Sequence, residues 1–83
     1  MSESAAPEVV LLTRPGCHLC EDARLVLQRV GQDLGVAWQE RSADDAPELA
    51  ARFGEEIPVL FIDGIQRDFW TIDETRLRRL LEA

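Results

Sequence analysis

Apolar residues fall along this chain in two rhythms. "EVVLLT", Glu8 to Thr13, is a β-branched and apolar run held between Pro7 and Arg14-Pro15-Gly16. A short run bounded by turn formers reads as a buried strand. The rhythm then changes: Leu19, Ala23, Val26, Leu27, Val30 and Leu34 recur mainly at steps of three and four, the apolar stripe of one helix. Arg24, Gln28 and Arg29 take its wet side. Gly31 or Gly35 can end it, since glycine accepts the left-handed conformation of a helix C-terminus. "VAWQE", Val36 to Glu40, predicts a second strand. A strand, a helix and a strand in such quick succession form a βαβ unit, parallel and right-handed.

Asp45 is a natural N-cap for the next segment, with Glu48 three residues on and Pro47 inside the first turn. Leu49, Ala50 and Phe53 supply the apolar face of a short helix, and Gly54 stops it. "IPVLFIDGIQRDFW" predicts a hairpin. Val59 to Ile62 is apolar on both faces, as a central strand must be, and Ile65 to Phe69 returns as an edge strand. Asp63-Gly64 is a strong two-residue turn signal between them. Thr71 and Glu74 repeat the capping-box spacing and open a last helix to about Leu81, with Leu77, Leu80 and Leu81 facing inward. The order is β-α-β-α-β-β-α. The expected fold is α/β, a four-stranded mixed sheet flanked by helices on its two faces.

At 83 residues, one domain is the sensible count. We expect the folded domain over residues 8–83 and a loose N-terminal tail over residues 1–7. "MSESAAPE" lacks the basic and apolar regions of a secretory signal, so a cytoplasmic monomer is expected. No apolar run nears the roughly 20 residues that cross a bilayer, and no membrane partner is expected. The net charge is -7. Nucleic acid asks for a basic footprint, so it is not expected as a partner either. All nine basic residues are arginine. Arg76, Arg78 and Arg79 are expected at a solvated helix end, favoured by the dipole. Trp38 and Trp70 are expected in core or rim packing. Asp44-Asp45 and Glu55-Glu56 fit caps and solvated turns.

The candidate chemistry lies in "RPGCHLC". Cys17 and Cys20 are the only cysteines, two residues apart at the mouth of the predicted helix. Three readings stand: a redox pair, a metal site, or two inert buried thiols. A redox cysteine acts as its thiolate, and unpaired N–H groups at a helix N-terminus favour that anion. Cys17 would sit at the N-cap or first position and attack a disulfide. Cys20, one turn in and slower to ionise, would resolve the mixed disulfide. His18 could add positive charge, while Glu21 and Asp22 oppose it. Structural zinc wants four ligands; one chain offers two thiols and a histidine between them. Only a dimer could share a zinc or an iron–sulfur cluster.

These residues together resemble the thioredoxin-fold superfamily, and within it the small bacterial glutaredoxin-like proteins. The resemblance runs from about Val9 to Leu81. In "RPGCHLC", Arg14 holds the place of the basic residue three positions before the first cysteine. "EEIPVLFIDG" is similar to the cis-proline strand, with Ile57-Pro58 as the cis bond. The element order matches the minimal core. The resemblance implies a thiol–disulfide oxidoreductase acting on protein or low-molecular-weight disulfides, re-reduced by a cellular thiol reductant. Cys17 and Cys20 would be catalytic; Arg14, His18, Ile57 and Pro58 would meet the substrate. Two departures matter. His18-Leu19 stands where glutaredoxins usually carry Pro-Tyr. Asp68-Phe69 stands where they carry a Gly-Gly pair that admits glutathione's carboxylate. No bound cofactor is expected, and glutathione is expected to serve poorly as reductant. A non-catalytic thioredoxin-like binding module, or one holding a shared metal, is the alternative.

Overall fold

Val9 and Leu11 leave strand β1 on one side and Leu12 on the other, and each side seeds a core. This period-two alternation places the sheet between two layers. The computed structural model describes residues 7–82. Along the chain run β1 (Val9–Thr13), α1 (His18–Leu34), β2 (Gln39–Ser42), α2 (Pro47–Phe53), β3 (Val59–Ile62), β4 (Ile65–Phe69) and α3 (Glu74–Glu82). The expected order and the mixed sheet are both present. The strands lie in the order β2-β1-β3-β4, with β1 and β2 parallel and the other neighbours antiparallel. Apart from Pro7, the expected tail lies outside the described residues.

One core lies between the sheet and the pair α1 and α3: Val9, Leu11, Leu60 and Ile62 meet Ala23, Leu27, Val30 and Leu77. The other lies on the opposite face. There Leu12, Val59 and Phe61 meet Leu49, Ala50 and Phe53 of α2, with Cys20 and Ile57 in the same cluster. β3 is buried at every position, as expected of an internal strand. Asp63 and Gly64 turn the hairpin with φ of 54° and 80°, the positive pair that a two-residue turn between twisted strands requires.

Five local expectations are corrected. The second strand starts at Gln39, not Val36. Helix α1 runs through Gly31 to Leu34 and ends on Gly35 at φ 67°. Val36 and Trp38 are thereby spent on packing against the α1–α3 core, and pairing begins at Val10 with Gln39. Leu19 does not join the buried stripe but is exposed in the first turn of α1. Asp45 does not cap α2: the N-cap is Ala46, without a side-chain bond, after a tight turn in which Ser42 accepts the Asp44 N–H. Thr71 does not cap α3. Asp73 does, accepting the Arg76 N–H at 3.0 Å. That frees Glu74, which grips Arg29 of α1 at 2.6 Å and Arg78 at 2.9 Å. Arg78 also pairs with Asp33 at 2.7 Å, so it clamps two helices rather than ending one in solvent.

Candidate functional site

The turn after β1 delivers both sulfurs. Gly16, at φ 73°, reverses the chain, a conformation that glycine adopts without steric cost. Cys17 follows in extended backbone as the N-cap of α1. Its Sγ accepts the Cys20 backbone N–H at 3.2 Å, in the way a capping oxygen would. Cys17 is half-buried and Cys20 fully buried; both are free thiols. Burial pushes the Cys20 thiol up to about 11, and its hydrogen bond with Cys17 adds to the rise. The Arg14 backbone and the charge of Arg24 pull the other way. His18 and Leu19 are exposed between the two cysteines.

The Ile57-Pro58 bond is cis, as the resemblance implied. Both residues are buried. Ile57 belongs to the cluster that holds Cys20 and against which Cys17 packs. The fold therefore joins Cys17, Cys20 and the Ile57-Pro58 strand start, which lie about forty residues apart in sequence. The Arg14 guanidinium donates to the Gly54 carbonyl at 2.5 Å. It ties the cysteine turn to the segment that leads into Ile57.

Three features escaped the sequence. Trp70 is one. Its N–H is shared between the Pro58 and Glu56 carbonyls at 2.9 and 3.3 Å. Its indole N–H donates to the Glu55 carbonyl at 2.9 Å. These bonds hold Trp70 at φ 61°, a left-handed backbone that is unfavourable for a bulky residue. Half of the ring stays exposed, packed edge-on to Phe69 with centroids 5.0 Å apart. The sequence has no sign of this, because nothing in "DFWT" announces a positive φ.

The second is a polar strut under Cys20. Arg24 donates two bonds of 2.8 Å to Glu40, whose carboxylate also accepts the Thr13 hydroxyl at 2.6 Å. The Arg24 bonds first, then the Thr13 bond and the Arg24 charge, hold the Glu40 carboxyl below its ordinary range against the opposing effect of burial. The parallel register of β1 and β2, which sets Glu40 beside Leu11, creates this strut. The third is the bonding of Asp68, a residue singled out with Phe69 in the sequence: its carboxylate accepts the Phe69 N–H at 2.9 Å and the Asp73 N–H at 3.0 Å. Among the described residues no set of three His, Cys, Asp or Glu side chains gathers as metal ligands.

A profile of the Glutaredoxin-like domain family (DUF836) matches residues 8–82. The chain belongs to that family. An uncharacterised protein of Mycobacterium tuberculosis is 38% identical over 77 residues, covering 87% of this chain and 79% of its own length. A crystal structure from X. campestris superposes with a TM-score of 0.71 at 32% identity, covering 89% of this chain and 95% of that one. A mutant thioredoxin from Halobacterium salinarum matches with a TM-score of 0.67 at 24% identity, over 93% of this chain and 73% of that one. The last likeness concerns the fold alone, and it is the thioredoxin fold. The glutaredoxin-like assignment agrees with the resemblance seen in "RPGCHLC" and "EEIPVLFIDG".

Proposed function

We propose that this glutaredoxin-like protein is a cytoplasmic thiol–disulfide oxidoreductase. The observation that carries it is the division of labour at the start of α1: a half-buried Cys17 at the N-cap and a fully buried Cys20 one turn behind it. The Cys17 thiolate attacks one sulfur of a substrate disulfide. A mixed disulfide forms, and the first substrate thiolate leaves and takes a proton. Cys20 then loses its proton to solvent, and its thiolate attacks the Cys17 sulfur. The second substrate thiolate leaves. Two electrons have passed to the substrate, and the protein holds a Cys17–Cys20 disulfide for a cellular thiol reductant to reopen.

Burial of Cys20 argues for this over a shared metal. A zinc or iron–sulfur cluster held by both cysteines of two copies would need the Cys20 sulfur at the surface, whereas Cys20 has no exposed area. Internal attack on Cys17 needs none. Ile57 and Pro58 shape the edge where an extended substrate would lie, with His18 and Arg14 at its rim.

Protein disulfides fit the site better than glutathione does. Asp68 and Phe69 occupy the place of the glycine pair, and the Asp68 carboxylate already takes the Phe69 and Asp73 N–H groups. An incoming carboxylate would meet a like charge there, and two charges about 4 Å apart repel by roughly 4 kcal/mol at an effective dielectric near 20. The test compares turnover of a glutathione mixed disulfide with that of a protein disulfide, in wild type and in Asp68→Gly/Phe69→Gly. We expect the protein disulfide to be preferred by wild type, and about tenfold or more to be regained toward glutathione by the double variant. Ordinary turnover of glutathione substrates by wild type contradicts this preference. Absence of turnover with both substrates contradicts the oxidoreductase itself.

A further inference from the structure

Helix α2 is too short to roof its side of the sheet. Its seven residues make about 10 Å of helix, against four strands spaced about 4.8 Å apart. Beside it opens a cavity of about 630 Å³, inside the roughly 300–1,000 Å³ of small-molecule sites. Val10 and Phe61 form its floor, and Leu49 and Phe53 of α2 form a wall. Glu8 and the hairpin residue Gly64 lie at its far end. The cavity thus sits toward the end of the sheet away from the cysteines. Val10 is three residues before Thr13 along β1, or about 10 Å of strand. A disulfide held at Cys17 does not occupy it.

Its polar groups have a clear sign. Arg41 from β2 and Arg52 from α2 both reach the cavity. The Arg52 guanidinium lies over the Phe53 ring, 5.1 Å from its centroid; Arg52 is exposed, and this contact holds its cation beside the aromatic wall. Phe53 in turn meets Phe61 edge-on at 5.1 Å. Among the described residues only Arg24, Arg29 and Arg78 are engaged in ion pairs; Arg41 and Arg52 differ from the other arginines without a carboxylate partner in lining one cavity together. On a chain of net charge -7, two guanidiniums brought together beside aromatic rings mark a place that accepts an anion. Glu8 opposes a second acidic group at the other end.

We infer that this cavity is a binding site, separate from the cysteine pair, for a small aromatic monoanion. The carboxylate is taken by Arg41 and Arg52 through charge-assisted hydrogen bonds, and the ring lies on Val10, Phe53 and Phe61. The site does not depend on the thiol chemistry.

The test is a titration of the ¹⁵N-labelled full chain, followed by amide chemical shifts, with 2-naphthoate and with its neutral counterpart 2-naphthamide. Saturable shifts are expected at Val10, Leu49, Phe53 and Phe61, with 2-naphthamide about tenfold weaker. Arg41→Gln/Arg52→Gln is expected to lose about tenfold or more toward 2-naphthoate, its spectrum otherwise unchanged. Equal binding of the two probes overturns the inference. So do shifts centred on Cys17 to Cys20, or the absence of any saturable shift. The two probes decide on the wild-type chain alone, whether or not a variant folds.

Discussion

Cys20 carries the sharpest consequence at the scale of one residue. Its thiol is held up at about 11 against an ordinary 9.0, first by burial and then by Cys17. In the unfolded chain the same group ionises near 9.0, so between the two values the unfolded state binds fewer protons. Its contribution to stability is therefore full below about pH 9 and is lost as pH rises through about 11. The reduced protein should lose denaturant resistance across that window, and Cys20→Ala should flatten the slope. Alkylation mapped by mass spectrometry should label Cys17 first and leave Cys20 protected until the pH approaches 11. Labelling of Cys20 as fast as Cys17 would reverse the assigned roles. The cysteine spacing and Pro15-Gly16 were legible in the sequence because each is a local signal, while the cis Ile57-Pro58 bond came from the family resemblance. The Trp70 conformation and the Asp68 hydrogen bonds were not legible, because they involve backbone groups that only the fold brings near.

Among the elements, α1 shows how local signals mislead. Gly31 looks like a stop and instead sits inside the helix. A β-carbon added there would lie 2.8 Å from the Val36 carbonyl oxygen and 3.2 Å from the Trp38 ring. Glycine admits the chain that returns toward β2, and this return is what delays the second strand. Gly31→Ala is ordinarily worth up to about 1 kcal/mol to a helix. Here we expect a net loss of about 1–3 kcal/mol from the forced backbone contact, read by urea denaturation; a gain would show that the Val36 segment yields freely. Glu74 offers a second check. The hydrogen bonds of Arg29, and then those of Arg78, lower its carboxyl from 4.5 to about 2. The stability it lends is present above about pH 4.5 and lost as pH falls through about 2. Between those values the Tm of wild type should fall more steeply than that of Glu74→Gln; equal slopes would mean that the α1–α3 clamp contributes nothing. The capping-box spacing at Thr71 pointed to the right helix but to the wrong cap, because Glu74 has stronger partners across the helix pair than at its own N-terminus.

At the scale of the molecule, the apolar runs between turn formers, the helical stripe and the capping patterns were enough to give the element order. The family resemblance supplied the connection between residues 17 and 58. Two cores on opposite faces of one sheet hold the cysteine turn and the cis-proline segment at a common end, and the strut of Arg24, Glu40 and Thr13 braces the underside. The central claim is that this end performs two successive thiol exchanges, with Cys17 acting first. Mass spectrometry of Cys20→Ser and Cys17→Ser, each mixed with a disulfide-bonded protein substrate, tests it most directly. The account predicts a stable one-to-one mixed disulfide at Cys17 of the Cys20→Ser chain, none with Cys17→Ser, and substrate release only by wild type. A trapped adduct at Cys20, or no adduct with either variant and no substrate reduction by wild type, would contradict it.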